Sequence, residues 1–204
     1  MTKKRTGIQE VAKWMKDSGR NPFPFQRQVW KAIGAGHSGI LHSPTGTGKT
    51  LAVWLGAIAA WHDAVAIRAG EAAQSKADAP ATSTVRKRQS AMAKRKAAEP
   101  IRVIWVTPLR ALAADTLLAL QDPVTGLQLP WTVERRTSDT SSSLKAKQRK
   151  HLPTCLITTP ESLSLLLSYP ESQGQFSTVS LIVLDEWHEL MSSKRGVMAE
   201  LALA

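Results

Sequence analysis

The octet SPTGTGKT, Ser43 to Thr50, constrains this chain more than any other stretch. It follows a short apolar run, SGILH, and precedes LAVWLGAIAAW, so Gly46 and Gly48 sit where an extended segment must turn into a helix. Glycine tolerates the positive φ that such a turn demands, and it lets backbone N–H groups converge on one point. The rest of the sequence keeps the same rhythm. Strands are predicted at Ser38–His42, Ile101–Thr107, Trp131–Arg135, Thr154–Thr158 and Val179–Leu184. Helices are predicted at Gly7–Ser18, Gln26–Gly34, Lys49–Trp61, Pro108–Leu120, Ser142–Lys150 and Pro160–Leu167. Alternation of this kind calls for an α/β fold, a parallel sheet with helices on both faces.

With 204 residues, 43% of them hydrophobic, the chain suits one ordinary domain with a proper core. Cys155 is the single cysteine, which excludes an internal disulfide and fits a reducing compartment. The basic start, MTKKRTGIQEVAKW, leads into an amphipathic pattern without the apolar centre of a signal peptide. The longest near-apolar run, Leu51 to Trp61, is too short to cross a bilayer, so a soluble, cytoplasmic protein with no membrane partner is expected.

The net charge of +11 invites a nucleic-acid reading, but its location matters. Residues 64–98 carry eight basic side chains against Glu71 and Asp78, a net +6. That segment is otherwise Ala, Ser, Thr and Gln and cannot bury a core. We read it as a disordered, solvated insertion in preference to a dedicated nucleic-acid patch.

The glycine octet has the P-loop pattern, with Ser43 in place of the usual first Gly. Ser43, Pro44, Thr45, Gly46, Thr47 and Gly48 form the cradle. Lys49 can reach β- and γ-phosphates, and the Thr50 hydroxyl can ligate Mg²⁺. The helix that follows adds its N-terminal amides to the anion site. Far downstream, LIVLDEWHEL puts four apolar residues directly ahead of Asp185 and Glu186. Such a run reads as a strand buried on both faces, where an unpaired carboxylate would be penalised. A divalent cation held by Asp185 offsets that penalty, and Glu186 is placed to orient or deprotonate an attacking water. An acidic turn alone would carry little weight; together with a P-loop it defines a nucleotidase.

DEWH also resembles the DExH box of superfamily 2 helicases, so the P-loop NTPase fold becomes, by resemblance, their RecA-like ATP-binding domain. PFPFQRQVW looks like the Q-motif region and implies an adenine-reading role for Gln26, although the local residues alone fit a surface helix position equally well. TPLRAL resembles motif Ia and TTPESL resembles motif Ib. Thr107-Pro108 and Thr159-Pro160 each look like a helix start, with Thr as N-cap and Pro at the first helical position. Capping alone would explain them. The resemblance makes Thr107, Pro108, Arg110, Thr159, Pro160 and Glu161 the contacts to a nucleic-acid backbone, and it gives His188 the coupling of nucleotide state to a neighbouring domain. Trp187 is expected to pack, and Trp105 and Trp131 to lie in the core.

Within superfamily 2, DEWHELMSSKRG, TPLRALAADT and RTSDTSS resemble the large helicase-related (Lhr) group and its ligase-associated DNA helicases. Ser138 departs from that pattern by standing where the group has Gly, as does the long insertion. The resemblance implies ATP and Mg²⁺ as cofactors, and movement 3′→5′ on single-stranded or tailed duplex DNA. It also implies a second RecA-like domain, a winged-helix region and a DNA ligase or other repair proteins as partners. On this reading residues 1–24 are a helical lead-in and 25–204 the ATP-binding domain. The sequence ends at Ala204 with no motif III and no arginine finger, and a finger is worth roughly 10³–10⁵ in turnover. This chain alone is therefore expected to bind ATP and hydrolyse it very slowly. Two alternatives stay open: a nucleotide-binding module without turnover, and an RNA-directed DExH helicase, whose motifs are shared.

Overall fold

The structure, a computed structural model, describes residues 5–44, 46–77, 99–191 and 193–203. The chain divides into two compact units, residues 1–97 and 98–204.

The first unit is helical. Helix α1 (Gly7–Asp17) opens with a capping box, in which the Thr6 hydroxyl accepts from the Gln9 N–H and the Gln9 side chain reaches back to the Thr6 N–H. It buries Val11, Ala12, Trp14 and Met15, one apolar stripe at helical spacing. Helix α2 (Pro24–Gly34) places Pro at its start, where the missing N–H is harmless, and buries Gln26 and Trp30. Both pack on α3 (Lys49–Ala77), which contributes Ala52, Trp54, Leu55 and Ile58 to the core. Gly7 comes so close to α3 that a Cβ would lie 2.0 Å from the Ala59 carbonyl oxygen, and its N–H donates to the Asp63 carboxylate at 2.7 Å.

Two expectations are corrected here. Ser38–His42 is not a strand: no described strand pairs with it, and Ile40 is exposed. A strand exists through its ladder, which an apolar run cannot supply by itself. The insertion expected to be disordered from residue 64 is helical through Ala77, as the continuation of α3; residues 78–98 lie outside those described. Low hydrophobicity rules out a core, but Ala, Arg, Glu, Gln and Lys are all strong helix formers. The longer helix also changes the membrane arithmetic. By length and composition Lys49–Ala72 would suffice to cross a bilayer; here α3 instead packs part of its apolar surface against α1 and α2.

The second unit is a four-stranded parallel sheet, β1 (Val103–Val106), β2 (Val133–Arg136), β3 (Cys155–Thr158) and β4 (Leu181–Leu184), in the order β2-β3-β1-β4. The register aligns Val106 with Thr158 on one side and with Leu184 on the other. Helix α4 (Arg110–Gly126) lies against β2 and β3. Helix α5 (Ser142–Lys150) precedes β3, and α6 (Pro160–Leu167) follows it. Ile104, Val106, Leu156, Leu163 and Leu166 form one core, while Val103, Trp105, Cys155 and Ile157 point to the opposite face and are equally buried. Burial pushes the Cys155 thiol far above its ordinary value, so it is an inert core residue. The chain then passes through short α7 (Pro170–Gln173), β4, α8 (Trp187–Met191) and α9 (Lys194–Leu203).

Strand β4 differs from expectation too. It is one of the two edge strands of the described sheet and its burial alternates: Ile182 and Leu184 are 42% and 39% exposed. The continuous apolar run suggested cover on both faces. Among the described residues only one face is covered.

Candidate nucleotide and nucleic-acid sites

In the glycine octet, Gly46 and Gly48 take φ of 78° and 83°, as the turn chemistry requires. Gly48 is restricted twice, because a Cβ there would sit 2.9 Å from the Gln26 side-chain nitrogen. Thr45 lies outside the described residues. The Lys49 ammonium folds back onto its own loop, donating to the Ser43 and Pro44 carbonyls at 2.7 and 3.0 Å. Ser43 and Thr47 share a hydroxyl contact of 2.7 Å, and Thr47 also donates to the Pro44 carbonyl. Thr50 occupies the first turn of α3.

Gln26 is not on the surface. It is 1% exposed, its oxygen accepts from the Phe23 N–H at 2.9 Å, and its nitrogen donates to the Gly48 carbonyl at 3.2 Å. The side chain thus caps α2 and holds the loop glycine in one contact system. That double commitment was not visible in the sequence, where Gln26 and Gly48 stand 22 positions apart.

At the other motif, Asp185 extends the β1–β4 ladder by donating its N–H to the Val106 carbonyl. One carboxylate oxygen accepts from the Trp105 indole N–H at 3.2 Å and the other from the Glu186 N–H at 3.1 Å. The two donors fix the plane of the carboxylate. Trp105 was expected to be core, and it is; its polar atom, however, serves the site. Glu186 adopts φ of 46°, a left-handed conformation that costs a residue with a Cβ about 1–3 kcal/mol. His188 is exposed, its ring nitrogens 3.5 Å from Glu186 on one side and Glu189 on the other. Trp187, expected to pack, is exposed as well.

The Thr-Pro corners end adjacent parallel strands, and the Thr107 N–H donates to the Thr158 carbonyl at 2.9 Å, so both corners share the carboxyl edge of the sheet. They are not equivalent. Thr159 is the N-cap of α6 with Pro160 at its first position, as expected, but its hydroxyl meets Ser162 rather than a backbone amide. At the other corner α4 starts only at Arg110 and its N-cap is Leu109, so Thr107 is not a cap and its hydroxyl reaches the Leu109 carbonyl. Leu109 adopts extended backbone there, φ −121° and ψ 135°, which delays the helix by two residues.

Arg110 donates to Asp139 at 2.8 Å and to Ser138 at 3.0 Å. Both partners lie on the loop after β2, which is stiffened by the Thr137 N–H donating to Thr140 and by Lys145 donating to the Ser138 carbonyl. Arg136, at the end of β2, is buried, and desolvation lowers its pKa; it donates to the Lys145 carbonyl and to Gln148. Across the corner, Glu161 accepts from Arg195. No sequence signal marked Asp139 or Arg195 as partners of these residues, since each pair joins separate elements.

A glycine loop of P-loop pattern at the start of a helix and an Asp-Glu corner at the carboxyl end of a parallel sheet are features found in P-loop nucleotidases. The sequence pattern of the DEAD/DEAH box helicases matches residues 23–203, and the chain belongs to that family. It is similar to an ATP-dependent helicase Lhr-Core of Sulfolobus acidocaldarius, 34% identical over 193 residues that make up 92% of this chain and 19% of the relative. Its fold matches the Mycobacterium smegmatis helicase Lhr, a structure bound to ssDNA and AMP-PNP, with a TM-score of 0.71 at 27% identity. That match covers 98% of this chain and 23% of the other. A DUF1998 helicase, MrfA, bound to DNA and AMPPNP shares the fold at a TM-score of 0.63 and 21% identity, over 91% of this chain and 22% of that one. The chain spans about a fifth of the length of these relatives.

Proposed function

We propose that this chain is the ATP-binding half of an ATP-dependent DNA helicase of the Lhr type, which hydrolyses ATP to move 3′→5′ along single-stranded DNA. Ser43 to Thr50 would cradle the nucleotide phosphates, with Lys49 as the point charge on the β- and γ-phosphates. The fit is supported by Gly46 and Gly48, both held at positive φ, and by an ammonium whose hydrogen-bond partners among the described residues are loop carbonyls that a phosphate can replace. Gln26 would sense the adenine while fixing Gly48. Thr50 and Asp185 are proposed as the Mg²⁺ ligands. Mg²⁺ is commonly held by one or two carboxylates plus substrate phosphates, so one fixed carboxylate and one hydroxyl suit it. Bound there, it would neutralise charge developing on the phosphoryl group. Glu186 would take the proton of the attacking water, and His188 would pass the nucleotide state to a neighbouring domain.

What separates a helicase from a plain nucleotidase is a track for the strand. The observation that carries this reading is the placement of both Thr-Pro corners on adjacent strands at one sheet edge. Thr107, Pro108, Arg110, Thr159, Pro160 and Glu161 would line the path of neighbouring backbone phosphates, with Arg110 giving up its exposed pair with Asp139. Such a pair is worth at most about 1 kcal/mol, so a phosphate can compete for the guanidinium. A second RecA-like domain, a winged-helix region and repair partners such as a ligase belong to the proposed complete enzyme.

The test is ATP turnover of the full-length protein with and without single-stranded DNA, in parallel with anisotropy of labelled oligo(dT) and oligo(U). Arg110→Ala should weaken oligo(dT) binding whatever the sequence and lower the salt slope by about one phosphate's share. Turnover that ignores DNA, together with unchanged binding by Arg110→Ala, would leave a nucleotidase without a track.

A further inference from the structure

Arg195 stands in the first turn of α9, a helix that packs on α6. Its two donors go to two different corners. Nε donates to Glu161 Oε1 at 2.6 Å, and Nη1 donates to the Pro108 carbonyl at 2.9 Å. One planar guanidinium therefore ties the Thr107-Pro108 corner to the Thr159-Pro160 corner through acceptors that share no element.

The charge at the second corner makes that contact consequential. Glu161 lies in the first turn of α6. Burial works to raise its pKa, but its own backbone N–H, the Thr159 hydroxyl and Arg195 together hold the carboxyl below the usual range. A fixed negative charge thus occupies the helix end where a phosphodiester would have to approach. Helix N-termini favour anions, and two anions at one end repel each other.

We propose that Arg195 is a positioning residue for the DNA edge: it locks the two corners in register and cancels the Glu161 charge facing the strand. This rests on the DNA-track reading above. The pair is half-exposed, 45% for Arg195 and 43% for Glu161, so its contribution to global stability is small, and its effect lies in geometry and charge. Lysine cannot replace it fully. An ammonium supplies the charge but not two donors fixed at fork spacing to two acceptors.

The experiment measures the affinity of the protein for labelled oligo(dT) at several salt concentrations, with ATP affinity and melting temperature as controls. Arg195→Ala should weaken oligo(dT) binding roughly tenfold, with ATP affinity unchanged. Glu161→Gln alone should tighten oligo(dT) binding a few-fold, because it leaves the Arg195 charge uncancelled at the edge, and adding it to Arg195→Ala should recover the charge part of the loss but not the lost tie to Pro108. Arg195→Lys should fall between parent and Arg195→Ala, and it carries the same test if the alanine variant melts early. A purely structural role would leave the double variant as weak as Arg195→Ala, and that result overturns the proposal. Parental binding by both Arg195→Ala and Arg195→Lys also overturns it while leaving the DNA track intact. No oligo(dT) binding by the parent would remove the track reading itself, and this inference with it.

Discussion

The phosphate loop and the acidic corner are both turns that lead into a helix, and each holds a charged side chain, the loop on its own carbonyls and the corner partly on the Trp105 indole of β1. On the proposed reading the loop would meet its ligand with backbone amides, so close approach would matter, and glycine stands at both turning points, at φ of 78° and 83°. The corner, on the same reading, would work with side chains, and it sets Glu186 at φ of 46° despite its Cβ. Their charges are also held differently. The Lys49 ammonium rests on two loop carbonyls, an arrangement that any phosphate can displace. Asp185 is gripped by the Trp105 indole and the Glu186 amide, which fix its direction without neutralising it. One site is built to let go and the other to stay put.

If that contrast holds, chemistry should fail at the corner without loss of binding. Glu186→Gln keeps size and a hydrogen bond but removes the base, so turnover in the full-length protein should drop about 10²–10⁴-fold. ATP affinity, measured by titration calorimetry, should stay near the parental value. Parental turnover by this variant would end the assignment.

Lys49→Ala should show the reverse profile. Losing a point charge on the phosphates costs about 1.5–3 kcal/mol, or roughly 10–100-fold in ATP affinity. The loop should nonetheless keep its shape, because Gln26 still holds the Gly48 carbonyl and Ser43 still meets Thr47. Equal affinity of variant and parent in calorimetry would show that the ammonium does not reach the nucleotide.

How much of this contrast was legible in the sequence depends on range. The glycine positions, Lys49 and the Asp185-Glu186 pair follow from local spacing, as does the alternation that gives the parallel sheet. The register that sets Val106 beside both Thr158 and Leu184 does not, because it arises from pairings between distant segments. For the same reason the Trp105–Asp185 bond, 80 positions apart, and the Arg195 bridge were invisible. Local reasoning also misread several places, three of them in the placing of regular elements. Ser38–His42 has apolar content but no described ladder partner, β4 has an apolar run but an edge position, and α4 begins two residues late because Leu109 stays extended. In each case tertiary surroundings outweighed a pattern that was locally sound.

A milder substitution probes the grip on Asp185. Trp105→Phe keeps most of the buried ring but deletes the indole donor, at a cost of about 1 kcal/mol for one hydrogen bond. The Mg²⁺ concentration that half-saturates ATP turnover should rise a few-fold, about the ratio of one such bond, while nucleotide affinity without Mg²⁺ is unaffected. An unchanged Mg²⁺ dependence would mean that the Glu186 amide alone orients the carboxylate.

The smallest effect is the sharpest test of why glycine stands at one turn and glutamate at the other. Glu186→Gly removes the Cβ from a left-handed residue and should raise the melting temperature slightly, by about 2 °C, since about 1 kcal/mol corresponds to 2–4 °C in a chain of this size and glycine's unfolded-state entropy takes back part of the gain. The same change removes the proposed base, so the variant should be more stable and inactive. Gly48→Ala should move the other way, because it adds a Cβ at φ of 83° and within 2.9 Å of Gln26. Its melting temperature should fall, and ATP affinity with it as the loop shifts. Opposite signs in the two scans would mean that the corner carries backbone strain to keep a carboxylate in place, while the loop is relaxed only because it has no side chain. If Glu186→Gly lowers the melting temperature, the left-handed turn is not strained, and the two turns differ only in what they bind.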